Sequence, residues 1–91
     1  MEVRAMALTE YEARVLGRLA ALAITNSVTV SELCRQTGLT ESSARKALMR
    51  LSRIGLVYGS TRGPARWRST DRGRRAISRP AYREYTRGRP C

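Results

Sequence analysis

The chain has 91 residues, which is enough for one small domain with a modest hydrophobic core. Eighteen residues are Lys or Arg and seven are Asp or Glu, so the formal net charge is +11. Because no run of about 18 apolar residues occurs and the first residues lack the apolar stretch of a secretory signal, we expect a cytoplasmic protein without membrane spans.

The positive charge is concentrated in the last third of the chain. Residues 62–91 hold ten Arg and two acidic residues, a net charge of +8, whereas residues 1–61 hold eight cations and five acids, a net charge of +3. Such asymmetry suggests a polyanionic partner. The alternative is a solvated surface that only keeps the protein soluble.

The sequence offers no constellation for catalysis or metal binding. It has no His, and Cys34 and Cys91 alone cannot supply the roughly four N or S ligands of a zinc site. Cys34 lies on the apolar face of a predicted helix, which favours a core residue over a redox-sensing thiol. We therefore expect no enzyme, no metal and no cofactor.

The first predicted helix begins near Thr9 and runs to about Ala23. Thr9 and Glu12 have the spacing of a capping box, and residues 25–27 read as a turn. The β-branched residues 28–30 predict a very short strand. The helix has an apolar stripe that is mostly core, although a dimer could also use it: Tyr11, Val15, Leu16, Leu19, Ala20, Leu22 and Ala23.

Two further helices, joined by a tight turn, are predicted between residues 29 and 54. Thr29 and Glu32 repeat the capping-box spacing. Gly38 can take the left-handed conformation that ends a helix, with Leu39 folding back onto the core. Thr40 can cap the second helix, whose apolar stripe is Ala44, Ala47, Leu48 and Leu51.

The opposite face of this second helix carries short hydroxyls and cations. A helix that is apolar behind and polar and basic in front suits the major groove of DNA. Gly55 is well placed to end the helix, with Leu56 making the accompanying apolar contact. The polar face comprises Ser42, Ser43, Arg45, Lys46, Met49, Arg50 and Arg53.

A short β-hairpin and a C-terminal helix are expected next. Residues 56–60 and 66–70 read as strands around a Gly-Pro loop, and Trp67 should pack on the helices with Ser69 on the same face. Residues 71–78 predict a short helix capped by Thr70 or Asp71. We expect domain 1–78 to be followed by a basic tail, residues 79–91, that is mostly disordered without a partner.

The order helix, short strand, helix, turn, helix, hairpin resembles the winged helix-turn-helix. Residues 28–33, 37–43, 48–57 and 69–73 are similar to the corresponding steps of MarR-type winged-helix regulators, and the similarity covers roughly residues 8–78. The resemblance implies a mainly α fold with a small β-hairpin: a three-helix core, a wing and a short C-terminal helix. The long dimerisation helices of that family are missing, which indicates a minimal member.

The resemblance also implies a function. It predicts a sequence-specific transcriptional regulator that binds double-stranded DNA with a recognition helix at about Thr40–Ile54. Such a protein would be cytoplasmic and associated with the nucleoid, and it would bind palindromic sites as a homodimer. Ser42, Ser43, Arg45 and Lys46 would lie nearest the bases. Backbone contacts would come from Thr29, Ser31, Thr40 and Arg50, and the wing residues Arg62 and Arg66 would reach the backbone or the adjacent minor groove.

Two alternatives stay open at this point. Winged helices also serve as protein-interaction modules, and the first helix or the tail would then bind the partner. The basic tail could instead bind nucleic acid, including RNA, without sequence preference. Salt discriminates between these alternatives, because phosphate-dominated binding weakens steeply as salt rises.

Overall fold

The computed structural model describes residues 8–22, 26–60 and 65–86. In that part of the chain, five α-helices and one antiparallel two-stranded sheet form the predicted winged helix-turn-helix. No helix within these ranges combines the length and the apolar character needed to cross a membrane. The elements are α1 Glu10–Ala20, α2 Val30–Thr37, α3 Glu41–Arg53, β1 Val57–Gly59, β2 Trp67–Ser69, α4 Asp71–Ile77, a 3-10 turn Pro80–Tyr82 and α5 Arg83–Thr86.

Capping boxes start the first two helices, as predicted. At α1 the Thr9 hydroxyl accepts from the Glu12 amide, and the Glu12 carboxylate accepts from the Thr9 amide. The same reciprocal pair, with Thr29 as the cap, starts α2. The end of α1 differs from the prediction, because the helix stops at Ala20 and Ala21 is its cap. The turn predicted at residues 25–27 lies partly outside the described residues.

Two glycines end the motif helices in the left-handed conformation, as expected. Gly38, with φ +79°, follows α2 and lets buried Leu39 turn into the core. Gly55, with φ +82°, follows α3, and the Leu56 amide donates to the Leu51 carbonyl at 2.8 Å. That bond completes a Schellman motif and fixes the direction in which the chain enters the wing.

The core lies between α1, α3 and α4, with α2 and the hairpin closing its sides. The predicted stripe of α3 is buried along its whole length. Cys34 is only half-buried at the margin of this core, although we expected a buried thiol. The side chains that are buried almost completely are Val15, Leu16, Leu19, Leu33, Leu48, Leu51, Leu56 and Ile77.

The hairpin leans on the helices through Trp67. Gly59 lies opposite Trp67 in the strand register and leaves room for the indole ring, since a Cβ there would lie 2.5 Å from a ring carbon. Val28 pairs with Trp67 in a single isolated β-bridge, so only one residue of the predicted short strand 28–30 is paired with the hairpin. Ser69 is buried and accepts a hydrogen bond from Arg74.

Part of the C-terminal segment that was predicted as a tail has helical structure. Residues 80–86 form the 3-10 turn and α5, and Tyr82 and Tyr85 pack against the core. The Tyr82 hydroxyl accepts from the Leu8 amide at 2.9 Å, while the Tyr85 backbone passes over Gly17 of α1. Burial raises the pKa of the Tyr85 phenol. These contacts place residues 80–86 against α1 and the core, and residues 87–91 lie outside the described residues.

Candidate nucleic-acid interface

The fold presents α3 with its polar face outward. The buried stripe holds the helix against the core. At its N-terminus the helix is capped by Thr40, whose hydroxyl accepts a hydrogen bond from the Ser43 amide at 3.1 Å. Thr40 also donates to the Ser43 hydroxyl at 3.1 Å. The structure thus brings the predicted base-contacting residues together on one rigid surface.

Three of these residues are free to meet a ligand. Ser42, Arg45 and Lys46 are exposed, whereas Ser43 is half-buried beside α1. Arg45 pairs with Glu41 one turn earlier at 3.0 Å, with both side chains about three-fifths exposed. Such an exposed pair contributes little to stability, so Arg45 can exchange Glu41 for a base or phosphate.

Arg50 has a different environment. Its Nη1 donates to both carboxylate oxygens of Glu12 at 3.0 Å, and the Glu12 side chain is only 7% exposed. The same carboxylate accepts from the Thr9 amide. Arg50 therefore connects the recognition helix to the start of α1, in addition to lying beside the polar face.

Thr29 and Ser31 stand at the start of α2, as predicted. The hydroxyl of Thr29 is used in its capping box, and Ser31 is exposed in the first turn. The hydrogen bond from the Thr29 backbone amide is the largest cause that lowers the pKa of the Glu32 carboxyl. The Glu32 carboxylate therefore stands at this helix start with the Arg66 guanidinium 3.9 Å away.

Arg66 lies just before β2 at the loop end of the hairpin, and its side chain reaches back towards the start of α2. It donates from Nε to the Ser27 hydroxyl at 3.0 Å and from Nη2 to the Ser27 carbonyl at 2.8 Å, with the Glu32 carboxylate 3.9 Å away. Its side chain is still 48% exposed. Arg62, predicted at the wing tip, lies outside the described residues.

Three contacts were not predicted from the sequence. Glu12 was predicted only as part of a helix cap, and no local pattern indicated that it would contact Arg50. Arg74 donates to the carbonyls of Ala20 and Leu22 beyond the end of α1, so it stabilises the fold rather than facing solvent. Tyr58 and Arg68 face each other across the hairpin, with the guanidinium carbon 5.2 Å from the ring centre. Only the last pair could have been predicted, because side chains alternate between the two faces of a strand.

The described residues hold no group of three or more His, Cys, Asp or Glu side chains arranged to bind a metal. The interface is instead a basic, hydroxyl-bearing helix face with grooves on both sides. One groove separates it from the start of α1, and the other separates Glu41 from the Ser31–Arg35 part of α2. A protruding helix flanked by grooves has the shape that enters a major groove.

Comparison with known proteins identifies the family. The family described as "Sugar-specific transcriptional regulator TrmB" matches residues 3–72, which is most of the chain. The chain belongs to the TrmB family. The matched residues of this TrmB-family chain include α1, α2, α3 and both strands of the wing, and therefore the polar face of α3.

A solved structure shares the fold of this TrmB-family chain. A mutant form of ZitR from Lactococcus lactis superposes with a TM-score of 0.68 at 22% sequence identity, covering 88% of this chain. The match covers 56% of ZitR, so the chain spans little more than half the length of that protein. No protein of curated function matches the chain significantly. The finer resemblance to MarR-type regulators stays a prediction.

Proposed function

We propose that the protein binds specific double-stranded DNA sequences by inserting α3 into the major groove, and regulates transcription from the nucleoid. The main support for the proposal is that α3 has a buried apolar stripe on one side and the exposed residues Ser42, Arg45 and Lys46 on the other. The net charge of +11 favours association with DNA.

The base-contacting roles follow from donor geometry. An Arg guanidinium matches the O6 and N7 acceptors of guanine, and one bidentate pair contributes about 1–3 kcal/mol of discrimination. Arg45 has the exposure for this role, and Lys46 can donate to the same acceptors. Ser42 and Ser43 are short enough to let the helix approach the base edges.

The backbone contacts would hold the helix in register without reading sequence. Arg66 and Ser31 lie beside the start of α2, Thr40 lies at the start of α3, and Arg50 lies at the α1 side. Their spread over three elements fits a duplex whose phosphates flank the inserted helix. Thr29 and Arg62 complete the proposed set, Thr29 through its position at the start of α2 and Arg62 as the predicted residue of the wing tip.

Arg45→Ala is expected to weaken binding to a cognate site roughly 5- to 100-fold and binding to random DNA much less, because a base contact is lost. Fluorescence anisotropy titrations on both DNAs measure the difference. Arg14→Ala is a matched control, since Arg14 forms the same kind of exposed pair with Glu10 on α1, at 2.8 Å. Equal losses on cognate and random DNA would show that Arg45 contacts phosphate instead.

We also expect the protein to act as a homodimer. One winged helix covers a short site, and two-fold proteins bind palindromic sites with half-sites about one helical turn apart. Sedimentation of the protein alone and on a selected site should show two copies per duplex. A monomer in both states would contradict the dimer while leaving the recognition helix assignment intact.

A further inference from the structure

The outward face of α3 carries an exposed methionine in the middle of its polar surface. Met49 is 55% exposed, even though the helix has a well-buried apolar stripe on its other side. Water does not favour an exposed thioether chain. A single exposed apolar side chain is ordinary on a protein surface, but Met49 lies on the face proposed to bind DNA, where a bound duplex would cover it.

Helical spacing places Met49 on the centre line of that face. Ser42, Lys46, Met49 and Arg53 follow each other at steps of four, three and four residues, so they form one stripe along the helix. All four are exposed, and the buried Leu51 lies on the opposite side. Within the described residues, neither Lys46 nor Arg53 has an ion-pair partner, so the stripe combines free positive charge with one apolar group.

The residues on either side of this stripe already have partners. Arg50 is held by Glu12 on the α1 side, and Ser43 is bonded to Thr40. Arg45 pairs with Glu41 on the other side. The stripe is therefore the part of α3 best placed to approach the floor of a groove, with Arg45 reaching in from one flank.

DNA offers one apolar group on the floor of its major groove, the C5-methyl of thymine. A methionine side chain is unbranched and adaptable, which suits contact with a single methyl group. From Ser42 to Met49 the helix rises roughly 10 Å, so the two side chains lie over different base pairs when the helix follows the major groove. On the basis of the proposed function, we propose that Met49 is a specificity-determining residue that contacts a thymine methyl at a base pair other than the one nearest Ser42.

The test replaces each thymine of a selected site, one at a time, with deoxyuridine, which lacks only the C5-methyl. Wild-type protein should lose about fourfold in affinity at one thymine per half-site, the effect of exposing roughly one methyl group. Met49→Ala should bind the thymine site with a similar loss and should be insensitive to uracil at that position. Met49→Leu should keep the discrimination, and Ser52→Ala, which is exposed on α3 outside the stripe, should change neither affinity.

Three results would overturn the inference. If the affinity losses caused by Met49→Ala and by deoxyuridine multiply when the two changes are combined, the side chain and the methyl act independently. If the wild type binds equally well whichever thymine is replaced, the stripe does not contact a thymine methyl. If Met49→Ala binds DNA as well as the wild type does, Met49 would instead contact a protein. Failure of the wild type to select any sequence would instead remove the proposed function itself, and Met49 readout with it.

Discussion

Gly73→Ala should lower the free energy of unfolding by about 2–3 kcal/mol, because overpacking against backbone cannot be relieved by a side-chain rotation. A Cβ on Gly73 would lie 2.1 Å from the Leu56 carbonyl oxygen and 3.1 Å from a Leu16 methyl carbon. The helix α4 would have to move away from the residue that joins α3 to the wing. Chemical denaturation measures the change, and the midpoint of thermal unfolding should fall by about 10 °C or more.

Gly17→Ala is the comparison. A Cβ there would lie 2.5 Å from the Tyr85 carbonyl oxygen, which belongs to the peripheral α5. Because α5 can shift without disturbing the three-helix core, and because Ala gains about 1 kcal/mol of helix propensity over Gly, the loss should be well under half that of Gly73→Ala. Equal losses, or a neutral Gly73→Ala, would contradict the close approach of α4 to Leu56.

Arg50→Ala should lower the free energy of unfolding by about 2 kcal/mol, which is less than for a fully buried pair because Arg50 is 40% exposed. The substitution leaves the Glu12 carboxylate, only 7% exposed, without its cation. The cost comes from that unpaired charge rather than from the lost contact alone. Urea denaturation at neutral pH measures it.

Glu12→Gln separates this charge effect from capping, since Gln can also serve as the third residue of a capping box. In the Glu12→Gln background, Arg50→Ala should cost less than about 0.5 kcal/mol, because no buried charge remains to be exposed. An equal cost in both backgrounds would show that Arg50 stabilises the fold through packing. A reduction of the salt slope of DNA binding by about one in Arg50→Ala would add the predicted phosphate contact to its structural role.

The features that the sequence predicted well are local ones. The starts of α1, α2 and α3 were predictable because Thr9, Thr29 and Thr40 precede their partners by three residues, and capping depends on that short spacing. The positive-φ glycines after α2 and α3 were predictable for the same reason. A buried stripe at helical spacing also needs no knowledge of its neighbours.

The features that were missed depend on distant parts of the chain. Glu12 and Arg50 are 38 residues apart, and Arg66 meets Ser27 across 39 residues, so no local pattern brings them together. The contacts of Tyr82 and Tyr85 with the core were missed because the basic composition of the tail does not indicate where its aromatic residues lie. Charge composition describes solubility, but a few aromatic contacts decide whether a short segment folds.

The most direct test of the central claim is selection of binding sites from a random double-stranded DNA pool, followed by titration of the enriched DNA across salt. We expect one motif to be enriched and still bound at physiological salt, and Lys46→Ala to fail to enrich it. Binding that enriches no motif and disappears as salt rises would contradict sequence-specific recognition by α3, because it would leave only attraction between a basic protein and phosphate.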